Sequence, residues 1–302
     1  MQDRKEIESW LSQARELCET EPEQAIAIAE KALKHLSERD LNARAEALYA
    51  KGAALYRMND FQSAEKTVEQ AKTFYEQIGD SAGVASSWNT IGNIALALGD
   101  YAKSLDAYQK SLKIWTDIGN TKALATLLSN LGNVYYNLSD YPTALEYHQR
   151  ALDLREKLGD KKEIAISLNN LGVVYADCAD YEYAKEVFEK SLKLKEKFAS
   201  PTSLASSYIN LGNVLGNLGK REEAKSCYET AERFYQEAGR EAGVAIALYG
   251  LGKICREENR IAEAKAYIAK SIEIFERREM KRELMLGFLA LGKVYALLQQ
   301  VD

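Results

Sequence analysis

The chain has 302 residues, 46% hydrophobic and 28% charged, with a formal net charge of −5. These proportions suit a folded soluble protein and exclude a disordered tail, a collagen-like fibre and a membrane bundle, while the acidic balance gives no electrostatic reason to bind nucleic acid. Three prolines and 18 glycines are few breakers for this length, so a mostly helical chain is expected.

No apolar run of signal-peptide or membrane-spanning length appears, which leads us to expect a cytoplasmic protein without a membrane partner. The first predicted unit, 4–38, carries Trp10, Leu17, Ala25 and Ala32, with Pro22 at a first helical turn. From there a period of 40 residues takes over, marked by Gly52, Gly92, Gly132, Gly172, Gly212, Gly252 and Gly292 without insertion or deletion. It defines units at about 44–78, 84–118, 124–158, 164–198, 204–238 and 244–278.

Large apolar residues stand four before each glycine, among them Leu48, Trp88, Leu128 and Leu168, and apolar residues recur one before and three after. Those offsets form one helical stripe. Small residues twelve on (Ala64, Ser104, Ala144, Ala184, Ala224, Ala264) and nineteen on (Ala71, Ser111, Ala151, Ser191, Ala231, Ser271) lie on a second stripe, so each unit is a helix pair. Asp100, Asp140 and Asp180 are placed to cap second helices, Gly79, Gly119, Gly159 and Gly239 to end them in the left-handed conformation, and Pro142 and Pro201 to sit in first turns. A mid-helix glycine costs about 1 kcal/mol relative to alanine. Close approach of the two helices at the small residue twelve on is the expected compensation. A final helix, 282–299, repeats Leu291-Gly292-Lys293, and its Leu284, Leu286, Phe288 and Leu289 leave little polar surface. It either caps the array or, as we favour, marks the front part of a longer protein.

The large residue before Leu-Gly, the tyrosine three after (Tyr135, Tyr175), the Asp-Tyr turn (100–101, 140–141, 180–181) and the two small positions resemble the tetratricopeptide repeat family in its 40-residue form. The resemblance is to scaffolding and regulatory members of that family, including Pins-type adaptors and the sensory regions of bacterial signalling proteins. The resemblance implies an all-α fold, a single right-handed α-solenoid over 1–302 of about seven helix pairs plus a C-terminal helix, with first helices lining a concave surface.

Chemistry is not evident. GxxxxGK[ST], GxGxxG and HExxH are absent, the two histidines fall in different units, and the four cysteines have neither disulfide nor zinc spacing, so no enzyme activity, cofactor or metal is expected. His148 stands where other units carry Tyr108, Phe188 and Tyr228, and Cys255 lies on the apolar stripe; both read as packing.

Asparagines cluster around the glycines. One column follows the glycine by one (Asn93, Asn133, Asn213) and another precedes it by two (Asn130, Asn170, Asn210). A side-chain amide can pair with both groups of a peptide unit, and the family resemblance implies that these six hold an extended peptide backbone. Asn169, Tyr136 and Asn137 would complete the lining, and Lys253, Arg256 and Lys293 would meet an acidic group. The competing assignment has these asparagines bonding neighbouring helices or facing water. The expected function is a scaffold or regulatory module for an extended protein or peptide segment; the alternative is a short-peptide sensor whose superhelix changes pitch. The sequence leaves the oligomeric state open.

Overall fold

The computed structural model describes residues 2–298, which form fifteen α-helices. Seven antiparallel pairs run in chain order: α1 (Gln2–Leu17) with α2 (Pro22–His35), α3 (Leu41–Arg57) with α4 (Phe61–Ile78), α5 (Ser81–Ala97) with α6 (Tyr101–Ile118), and α7 (Thr121–Asn137) with α8 (Tyr141–Leu158). Then come α9 (Lys161–Asp177) with α10 (Tyr181–Lys195), α11 (Pro201–Asn217) with α12 (Arg221–Glu237), and α13 (Glu241–Glu257) with α14 (Ile261–Arg277). The last helix is α15 (Lys281–Leu298); residue 299, which the sequence also assigns to it, lies outside the described residues.

By its contacts the chain divides into two compact units, up to Leu154 and from Arg155, with the division inside α8. Each unit is a stack of helix pairs. Within each, consecutive first helices touch, as α3 does α5 and α11 does α13, whereas second helices pack on the first helices either side of them.

Local chemistry sets the helix ends. Asp60, Asp100, Asp140 and Asp180 each accept from the backbone N–H three residues on, at 3.0–3.3 Å, satisfying one of the donors that a first turn leaves unpaired. Gly79, Gly119, Gly159 and Gly239 are left-handed between pairs, with φ of 64–76°. A second left-handed position closes the turn inside the six pairs from α3 on, and there Asn59, Ser139, Ala179 and Asn259 hold φ of 60–62° without being glycine.

The periodic glycine answers to a side chain sixteen residues on. A Cβ built on Gly172 would lie 2.6 Å from the Phe188 ring, on Gly132 2.7 Å from His148, on Gly52 2.5 Å from Val68 and on Gly252 2.5 Å from Ile268. Tyr108 over Gly92 and Tyr228 over Gly212 complete the set, and all six of these side chains are at most 2% exposed. The small residue twelve on also meets the glycine, since Ser104 Oγ donates to the Gly92 carbonyl at 2.9 Å. It is the ring or branched side chain at sixteen, however, that a methyl group would strike. The residues nineteen on are equally buried, and Ser111 and Ser191 reach back to the first helix of their own pair, donating to the carbonyls of Ala85 and Ala165. His148 and Cys255 are each 1% exposed, as expected of packing residues.

Two buried cations occupy junctions that elsewhere hold Tyr75, Trp115, Tyr235 and Phe275. Arg155 bonds Ser167 at 2.6 Å and Glu163 at 2.9 Å. Lys195 donates to Ser207 Oγ at 2.8 Å, and burial holds its ammonium below the ordinary lysine range.

Two stability predictions follow from these positions. Ala179→Gly relieves a left-handed alanine and should stabilise the fold by roughly 0.5–1 kcal/mol, read as a higher thermal midpoint. Because the folded state binds the Lys195 proton more weakly than the unfolded chain does, stability is reduced below the folded pKa and recovers as pH rises toward 10.5. Lys195→Met should therefore raise the unfolding midpoint at pH 7, with the gain shrinking as pH approaches 10.

Candidate functional site

The first helices carry two polar columns, and the structure separates their roles. In the column two before the glycine, amides tie one first helix to the next. Asn130 Nδ2 on α7 donates to Asn89 Oδ1 at 2.9 Å and Asn93 Oδ1 at 3.2 Å, both on α5. Asn210 on α11 reaches Asn169 on α9 at 3.5 Å, the outer limit of a hydrogen bond. Tyr49 and Thr90 form the equivalent rung between α3 and α5 at 3.1 Å. Asn170 occupies the same column on α9 and is half-buried.

The column one after the glycine is built differently. The Tyr108 hydroxyl donates to Asn93 Oδ1 at 2.6 Å, and that of Tyr228 to Asn213 Oδ1 at 2.8 Å. A buried phenol needs an acceptor, and the asparagine supplies it. Each tyrosine fills the glycine notch with its ring and holds the adjacent amide with its hydroxyl. With its oxygen engaged by the phenol, each of these amides has its Nδ2 as a donor. Asn133, half-buried on the same column, lies beside the His148 repeat, and its carbonyl accepts from Asn137 Nδ2 at 2.7 Å. The pattern is legible once the register is known. Asparagine stands after the glycine where the residue sixteen on is Tyr or His, whereas Ala53, Val173 and Lys253 stand there when it is Val68, Phe188 or Ile268.

A cavity of about 280 Å³ opens beside this column in the second unit. Asn210, Asn213 and Asn217 of α11 form one wall, Val173, Ala176 and Asp177 of α9 another, and Tyr181 and Phe188 close it. In the first unit Tyr136 is half-buried with its ring 6.0 Å from that of Tyr141, and Asn137 is exposed.

The predicted basic residues do come together. Lys253 is half-buried on α13, and its ammonium is held below the ordinary lysine range mainly by burial, with a further push from Arg256 and Lys293 and a partial offset from Glu257. Arg256 lies 3.8 Å from Glu257 and Lys293 is exposed on α15. Three cations against one carboxylate leave a site with positive charge to spare. Among the described residues no group of three His, Cys, Asp or Glu side chains could hold a metal, and no helix is long and apolar enough to cross a membrane.

Comparison with known proteins agrees with this architecture. The model of the MalT-like TPR region matches residues 14–177, and two tetratricopeptide repeat models match 165–198 and 203–277. No curated protein sequence matches the chain. Among solved structures, the apo form of the quorum sensor NprR from B. thuringiensis is similar at 17% identity and a TM-score of 0.73, over 96% of this chain and 81% of that one. A Rap protein complexed with competence and sporulation factor is similar at 14% identity and a TM-score of 0.62, over 98% and 99% of the two chains. BtubC from P. vanneervenii is similar at 21% identity and 0.62, over 77% and 92%. At these identities the structural likeness establishes the fold. Together with a family model that spans more than half of the sequence, it means that the chain belongs to the tetratricopeptide repeat family, in its MalT-like form over residues 14–177.

Proposed function

We propose that this chain is a non-enzymatic binding module of the cytoplasm that holds an extended protein or peptide segment along its first helices, without a cofactor and with neither nucleic acid nor membrane as its partner. The observation that carries the reading is the fixed orientation of Asn93 and Asn213, whose amide nitrogens are left to receive backbone carbonyls once tyrosines hold their oxygens. Asn133 extends the column, and the cavity walled by Asn210, Asn213 and Asn217 accepts a side chain of the bound segment. Asn130, Asn169, Asn170 and Asn210 are assigned to fixing the spacing of the first helices, and Tyr136 and Asn137 to the rim. Lys253, Arg256 and Lys293 offer an anion site for an acidic residue of the segment.

A second reading is favoured by the likeness to a quorum sensor and to a Rap protein complexed with competence and sporulation factor. On it the segment is a short peptide whose capture changes the pitch of the helix stack. Small-angle scattering on the peptide-saturated chain separates the two, a changed radius of gyration supporting the sensor and an unchanged one the plain scaffold.

For the binding column of the first unit, peptides selected by the wild type from a displayed random library should bind Asn93→Ala/Asn133→Ala roughly 30-fold more weakly, at about 1 kcal/mol per lost hydrogen bond. Asn89→Ala/Asn169→Ala, which removes the acceptors of the ties between first helices, should instead lower the thermal midpoint and leave affinity nearly unchanged. Anisotropy titrations with equal affinities for wild type and the first variant would contradict the reading. For the anion site, an acidic peptide should bind less tightly as pH rises from 7 toward 10.5, because Lys253 loses its proton below the ordinary lysine value, and Lys253→Gln should flatten that dependence.

A further inference from the structure

Three successive first helices of the second unit carry the same register positions with different charge. At the residues one and five after the periodic glycine, α9 presents Val173 and Asp177, α11 Asn213 and Asn217, and α13 Lys253 and Glu257. Glu257 is held by Arg221 at 3.9 Å and Arg256 at 3.8 Å, which leaves the α13 end cationic. The surface thus runs from a carboxylate on α9 through amides on α11 to cations on α13. The cavity between α9 and α11 lies at the acidic end of that run, and among the described residues that line it Asp177 is the one that carries a charge.

The lining has the chemistry of a slot for a long basic side chain. Val173, Ala176 and Val214 offer apolar wall to methylene groups, as the stems of lysine and arginine require. Asp177, which is exposed, offers a carboxylate to the head group. Asn217 Nδ2 donates to the Asn213 carbonyl at 3.0 Å, so the Asn217 amide has its Oδ1 as a further acceptor. The Cys178 thiol registers the negative field here: partial desolvation pushes it up first, and Asp177 and Asp180 add to the rise. In the first unit the equivalent positions on α7 are Asn133, Tyr136 and Asn137, which carry no charge, so the preference belongs to the second unit. Packed helices lie roughly 8–10 Å apart, which sets the cavity about 10–15 Å from the cations of α13. About three to five residues of extended chain cover that distance, at roughly 3.3 Å each.

We propose that the segment bound by the second unit is bipolar, with a lysine or arginine side chain in the cavity beside Asp177 and an aspartate or glutamate about three to five residues away at Lys253 and Arg256. This assignment rests on the chain's binding of an extended segment and says which kind of segment it is. A displayed random peptide library sorted on the full chain tests it, followed by anisotropy titrations of the best binder. Selected peptides should pair a basic and an acidic residue at that spacing. Changing the basic residue to glutamine should weaken binding by the wild type about tenfold, and Asp177→Asn should weaken binding of the parent peptide as much. Asp177→Lys should bind the peptide with glutamate at the basic position more tightly than the parent. Asp177 is exposed, so both variants should keep the helical circular dichroism of the wild type. Affinity lost in Asn213→Ala but in neither Asp177 variant overturns the bipolar assignment and keeps the groove. A library without binders, or binders indifferent to Asn213→Ala and to both Asp177 variants, overturns the two together.

Discussion

The repeat is organised around one steric interlock, a side chain without room for a methyl group beneath it. Six first helices give up about 1 kcal/mol of helix propensity each by carrying a glycine, and the second helix of each pair places a buried Val, Tyr, His, Phe or Ile over that glycine. Burying such a side chain is worth about 1.5–3 kcal/mol, so the exchange is favourable, and it fixes the distance and register of the two helices at once. The small residues twelve and nineteen on follow from the same approach. Ser104, Ser111 and Ser191 fill their places while returning a hydrogen bond to a first-helix carbonyl, which spares the burial of an unpaired hydroxyl.

From that interlock the polar surface of the first helices follows. Where the interlocking side chain is tyrosine, its hydroxyl emerges beside the glycine and requires an acceptor, and Asn93 and Asn213 provide one. A residue chosen for an internal reason thereby offers a fixed donor to the outside. The neighbouring column meets a different need: first helices that touch must satisfy polar side chains between them, and Asn130 with Asn89, Asn210 with Asn169 and Tyr49 with Thr90 do so. Two internal needs, an acceptor for a buried phenol and a tie between first helices, thus draw on the same residue type one turn apart.

Much of this was legible in the sequence. The 40-residue glycine period, the two helical stripes, the aspartate caps and the left-handed glycines all survive in the structure, because each is a local constraint repeated until it cannot be chance. What the sequence left open was pairing. Nothing in the spacing of Asn130 distinguishes an amide facing a groove from one bonded to the previous helix, since the partner lies 41 residues away. Small residues advertise close packing and so point to the neighbour twelve on, yet the tightest contact of the glycine is to a larger residue sixteen on, visible in the sequence only as a column of assorted rings and branched chains. Left-handed Ser139 and Ala179 were also hidden, being residue types that do not announce that conformation.

The interlock is tested most directly by a double-mutant cycle on Gly172 and Phe188, read by chemical denaturation. Gly172→Ala alone should destabilise by about 1–3 kcal/mol as the added methyl meets the ring. In a Phe188→Ala background the same substitution should be neutral or stabilise by up to about 1 kcal/mol through helix propensity. That reversal is the predicted result, and an equal cost of Gly172→Ala in both backgrounds would contradict it.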